Sequence, residues 1–115
     1  MRVLQYFEWL PLTTLTENGN TRDKVVCAAG VEKITLFIDI YDATGTSPTL
    51  DLYIDTKDDF TGNWYEIAHV GTFTAGSTSM HTVNVDGGQC FALRWVLGGT
   101  NPSFELKIAA EFRGD

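Results

Sequence analysis

Two stretches decide the fold: Gly45-Thr46-Ser47-Pro48-Thr49-Leu50-Asp51-Leu52-Tyr53-Ile54 and Gly99-Thr100-Asn101-Pro102-Ser103-Phe104-Glu105-Leu106-Lys107-Ile108. Gly, Thr and Pro recur in place, as do the closing Leu and Ile. The other differences are mostly mild, such as Ser to Asn and Asp to Glu. Each copy follows a run rich in β-branched and aromatic residues, Ile34 to Tyr41 and Phe91 to Leu97. Glycine takes positive φ without steric cost, and proline fixes φ and lacks an N–H, so it belongs at the start of a strand. Each copy therefore reads as strand, tight loop, strand. Two such hairpins predict two sheets facing each other.

Alternation extends this reading along the chain. Ile34, Leu36, Ile38 and Ile40 share one face, against Lys33, Thr35, Phe37, Asp39 and Tyr41. Leu50, Leu52 and Ile54 point inward, with Asp51, Tyr53 and Asp55 outward. Phe91, Leu93, Trp95 and Leu97, and then Phe104, Leu106, Ile108, Ala110 and Phe112, form the other two inward rows. A period of two is the mark of a half-buried strand, and no segment keeps a helical period. Short strands between turn signals, among them Asn18-Gly19 and Asp86-Gly87-Gly88, predict an all-β protein. The expected architecture is a single-domain antiparallel β-sandwich of jelly-roll type, residues 17–115, preceded by an N-terminal arm or first strand, residues 1–16.

The chain has 115 residues, 43% of them hydrophobic, which suffices for a core without staples. Fifteen acidic residues against eight basic ones give a net charge of −7. That balance argues against nucleic acid and against anionic membranes, both of which need basic surface. Met1 to Leu10 does not read as a signal peptide, and no stretch approaches the ~18 apolar residues of a membrane span. Cys27 and Cys90 fit no zinc spacing, and free buried thiols are favoured over a bridge, in keeping with synthesis in a reducing cytoplasm.

No catalytic set emerges. His69 and His81 read as strand residues, away from any nucleophile context. Asp55, Asp58 and Asp59 are the one cluster with oxygen ligands for calcium, but their spacing is not that of an EF-hand, and a solvated loop is the preferred reading. No metal or cofactor is therefore expected. Tyr53, Trp64 and Tyr65 offer aromatic surface for a sugar platform, or equally for a core.

A resemblance adds to this. A strand followed by Thr44-Gly45-Thr46-Ser47-Pro48-Thr49-Leu50-Asp51-Leu52, then Asp58, Asp59 and Trp64, then Arg94-Trp95, then Gly98-Gly99-Thr100-Asn101-Pro102-Ser103-Phe104, resembles small structural proteins of tailed bacteriophages. These include β-sandwich capsid decoration (cement) proteins and related head or tail accessory proteins. The likeness spans roughly Ile34 to Phe112, and the residue Phe60 before Thr61-Gly62 departs from it. It implies a non-enzymatic virion protein on the capsid surface, with the major capsid protein as partner and a homotrimer as assembly. The alternatives are a tail or head–tail accessory protein and a carbohydrate-binding module. A small hydrolase lacks a nucleophile–base pair. Apolar surface as dense as that of Met1 to Leu10 usually needs a partner. Tyr6, Phe7 and Trp9 of the arm, with the outward Phe37 and Tyr53, are thus the expected partner contacts.

Overall fold

The computed structural model describes residues 2–85 and 88–114. The turn expected at Asp86-Gly87 lies outside them. The strands are β1 (Arg2–Leu15), β2 (Gly19–Asn20), β3 (Val26–Cys27), β4 (Lys33–Lys57), β5 (Trp64–Phe73), β6 (Ser77–Asn84) and β7 (Cys90–Gly114), with a 3-10 turn at Arg22–Lys24. All pairings are antiparallel and join into one seven-stranded network.

The repeated stretches do not make hairpins. Each is a bend inside one long strand, and the two long strands pair with each other along their length, from Lys33 opposite Arg113 to Thr56 opposite Phe91. Thr46 faces Thr100, the same position of each copy. An approximate two-fold axis therefore passes between the repeats. The register shifts on both sides of this pair, between Thr44 and Thr46 and between Thr46 and Thr49. Gly45 (φ +116°) and Gly99 (φ +94°) adopt backbone reserved for glycine, while Ser47 and Asn101 sit in the left-handed region at φ 49° and 50°. A Cβ on Gly45 would lie 2.6 Å from the carbonyl oxygen of Asn101, and one on Gly99 would lie 2.5 Å from that of Ser47. The strands cross too closely there for any side chain.

The bends carry both strands from one layer to the other, as strands at the corners of a sandwich do. The first layer runs β1, residues 103–114 of β7, residues 33–44 of β4, then β6. The second runs β5, residues 49–57 of β4, residues 90–98 of β7, then β2 and β3. The architecture is an all-β sandwich. Leu36, Ile38, Leu52, Ile54, Leu93, Trp95, Leu106 and Ile108 lie in one core, as the alternation requires. Phe91 of the second layer meets Phe112 of the first edge-to-face at 5.5 Å. Trp95 Nε1–H donates to the Glu17 carbonyl at 3.2 Å, which satisfies the ring's polar atom at the core margin.

Residues 2–15 are a paired strand rather than a detached arm, and β1 continues through Pro11. Its register against β7 slips between Leu10 and Thr13, so the missing N–H falls in an irregularity. The cysteines correct the expectation of free thiols: Cys27 stands opposite Cys90 across β3 and β7, with Cα atoms 4.0 Å apart, and the two are disulfide-bonded. Their juxtaposition depends on where β3 docks, which spacing along the chain does not reveal. Among the described residues no helix is long and apolar enough to cross a membrane.

Two outcomes follow for measurement. Gly45→Ala and Gly99→Ala should each lower unfolding free energy by roughly 3 kcal/mol or more, since each combines a positive φ with a backbone clash; urea denaturation reads this directly. Thiol titration in denaturant without reductant should find no free cysteine, and reduction should lower stability by about 2–4 kcal/mol through the released loop.

Candidate partner-binding surface

Alternation decides which side chains the first layer turns outward. β4 presents Phe37 and Asp39, β7 presents Lys107 and Ala109, β1 presents Tyr6 and Glu8, and β6 presents Thr78 and Met80. Register sets Ala109 opposite both Phe37 and Glu8, and Met80 on the far side of Phe37. The short Ala109 side chain leaves a hollow between larger neighbours. The result is an open cleft of about 670 Å³ bordered by Tyr6, Phe37 and Met80, with Glu8, Asp39 and Lys107 on its rim. Tyr6 meets Phe37 edge-to-face at 6.0 Å. Tyr6 and Met80 are each 65% exposed, so this floor is apolar and open to solvent. The Lys107 ammonium lies 5.9 Å from the Tyr41 ring, and its interaction with the Tyr41 hydroxyl raises its pKa above the usual lysine value.

The outer face of the second layer is built differently. Asp55, expected outward and solvated, is 1% exposed. Its Oδ2 accepts from Arg22 Nη2 and from Arg94 Nε, each at 2.9 Å. Arg94 also donates to Glu66 at 2.8 Å. The bond to Asp55 is the main reason its pKa is raised further, against the opposing effect of burial. Both guanidinium groups lie over aromatic rings, Arg22 over Trp64 at 5.1 Å and Arg94 over Tyr53 at 4.1 Å. His69 stacks on Tyr53 at 4.7 Å and hydrogen-bonds Asp51 at 3.1 Å. Such stacking holds a planar cation cheaply in a half-dry site.

The five residues singled out in the sequence divide accordingly. Tyr6 and Phe37 meet on the open face. Phe7 and Trp9 turn inward: Phe7 packs on Phe112 at 5.1 Å, and Trp9 is a core residue at 5% exposure. Trp9 is therefore corrected from surface contact to core. Tyr53 points outward, but Arg94 and His69 cover its two sides. With Trp64 under Arg22, the sugar platform loses two of its three rings to arginine. The acidic cluster also separates: Asp55 serves the arginines, while Asp58 closes its own loop by accepting from Phe60 N at 3.0 Å and from Thr61 Oγ1 at 2.9 Å. Reading the sequence missed Met80, Ala109, Arg22 and Arg94. Only the pairing of distant strands brings these together, although an uncharged Ala109 amid Glu105, Lys107, Glu111 and Arg113 was a visible irregularity.

No protein-family model and no curated protein sequence matches the chain. Solved structures do. The PBSX exported protein XepA is similar at TM-score 0.65 and 15% identity, over 97% of this chain and 38% of that one. The SPBc2 prophage-derived protein YomS is similar at TM-score 0.54 and 8% identity, over 95% and 92%. The infectious bursal disease virus Gx strain contributes a chain at TM-score 0.55 and 12% identity, over 96% and 32%. This chain thus spans well under half of two of them. A carbohydrate-binding domain of a xylanase shares the fold as well. At such identities the likeness is one of fold, and it reaches both phage-derived and virus-particle proteins.

The ion-pair cluster can be tested by itself. Asp55→Ala should cost about 2–3 kcal/mol, less than for a fully buried pair because both arginines reach solvent. An Asp55→Ala variant as stable as the parent in chemical denaturation would show that the cluster contributes nothing.

Proposed function

We propose that the chain is a non-enzymatic structural protein of a phage particle, most specifically a capsid decoration (cement) protein. Its partners on this reading are the major capsid protein and further copies of itself, assembled as trimers at three-fold positions of the capsid surface. The observation that carries the proposal is the open apolar face of Tyr6, Phe37 and Met80 on a sandwich whose fold recurs in phage-derived and virus-particle proteins. Exposed apolar surface with a charged rim is the usual form of a protein-docking site. The order of strands in the two layers supports reading the sandwich as a jelly roll, a fold common among capsid proteins. The net charge of −7 favours a basic protein surface as partner over nucleic acid or anionic lipid. The disulfide fits a protein that leaves the reducing cytoplasm of its synthesis with the released particle. A lattice repeats a modest contact many times, so strong single interfaces are not needed.

Electron microscopy of phage particles purified from cells that make the chain tests the proposal. Density for the sandwich is expected over the capsid shell, and Phe37→Glu should empty those sites while leaving the far-UV spectrum unchanged. Density confined to the tail, or none on the particle, would overturn the decoration reading.

A further inference from the structure

The first layer ends in two edge strands, β1 and β6. Exposed edges invite pairing, and proteins usually protect them with charges, prolines or bulges. β1 has all three: Arg2 and Glu8, Pro11, and register slips after Val3, Glu8 and Leu10. The second layer's long edge, β5, carries Glu66 and two slips in its pairing with β4. β6 has none of these. It reads Ser-Thr-Ser-Met-His-Thr-Val-Asn, among the described residues the one strand longer than two residues that lacks any Asp, Glu, Lys, Arg or Pro. Its pairing with β4 runs from Ile40 opposite Ser77 to Lys33 opposite Asn84 without a slip. Among the described residues its other edge pairs with nothing.

From this edge we propose that two copies of the chain associate antiparallel through β6, across a two-fold axis at Met80. The lack of charge selects a second copy as occupant. An isologous contact sets the residues at its axis near their own counterparts, so a charge there would meet a like charge. A chain of net charge −7 has few places where it can approach itself, and β6 is eight residues of such a place. The pleat then restricts the register. Directly opposed side chains must lie on the same face, so outward Thr78, Met80, Thr82 and Asn84 can oppose only one another. With Met80 opposite Met80, Thr78 opposes Thr82, Ser79 opposes His81, and Ser77 opposes Val83. The two neighbouring allowed registers set His81 or Ser79 on its own counterpart and leave Met80 against Thr82 or Thr78. The Met80 register alone extends an existing row. Ala109, Phe37 and Met80 are already side by side across β7, β4 and β6, and the axis doubles that row into one apolar band. It covers Met80, which is 65% exposed in the single chain, and the thioether adapts to its counterpart without demanding one rotamer. The contact stands whether or not the protein is a virion component. Being two-fold, it would join chains, or whole trimers, in pairs.

Sedimentation equilibrium of the intact chain over a concentration series tests this. The parent should show reversible doubling of mass. Met80→Lys and Met80→Glu, each placing like charges on the axis, should weaken the doubling by at least about tenfold, and an equimolar mixture of the two should restore it. Under glutathione disulfide, Met80→Cys should give a covalent pair, because opposed strand residues lie within disulfide reach. Thr78→Cys should stay single alone and cross-link only when mixed with Thr82→Cys. Far-UV spectra confirm that each variant keeps the fold, and the cysteine variants place no charge on the edge. A parent that never doubles in mass would overturn the proposal. So would equal association of the parent, Met80→Lys and Met80→Glu, or cross-linking of Thr78→Cys as readily as Met80→Cys.

Discussion

Everything in this sandwich hangs on the place where β4 and β7 cross. Both strands bend at the same level, each against the backbone of the other, and the space between Gly45 and Asn101 or between Gly99 and Ser47 admits no side chain. Because the bends coincide, the strands remain paired while both pass from one layer to the other. The four inward rows of the two strands then close on one core, from Ile34 at one end to Phe91 at the other. All the remaining strands are additions to this pair: β1, β2 and β3 lie against β7, and β5 and β6 against β4.

The same crossing explains what could be read from the sequence. The period of two named the core residues, because alternation is a local property of an extended chain against a dry face. The repeat was visible too, but its meaning was not. A glycine and a proline between two alternating runs suit a hairpin and a bent strand equally well, and only the distant partner distinguishes them. Cys27 and Cys90 failed for the same reason: their contact exists only because β3 docks on the start of β7. Asp55 failed for another. Its position in the alternation is outward, as expected, but Arg22 and Arg94 close over it and remove it from water. Of the surface residues, Tyr6 and Phe37 were legible as outward aromatics. Met80 and Ala109, which give the face its shape, required register.

The two outer faces show how differently one fold can finish its surfaces. On the second layer, charges and rings interlock until the aromatic area is covered from within: Trp64 by Arg22, Tyr53 by Arg94 and His69. On the first layer the small Ala109 stands between larger side chains, and the aromatics beside it stay open. One fold can thus carry outer faces of quite different chemistry. Function here resides in the side chains that the core does not use.

The position of β7 in the middle of both layers has a further consequence, for the order in which the protein can be made. The pairings of β4 with β7 join residues far apart in sequence, and no layer is complete until residues 90–114 are available. On a ribosome, β4 can pair with β5 and then with β6. Both layers, however, still lack β7 in their middle, and β1 has no strand to lie beside. Loop closure must come first and core burial afterwards, which makes for slow, nearly all-or-none folding. Until β7 is available, the nascent chain therefore presents its apolar rows to the cell. The arrival of β7 is the event that converts them into a core.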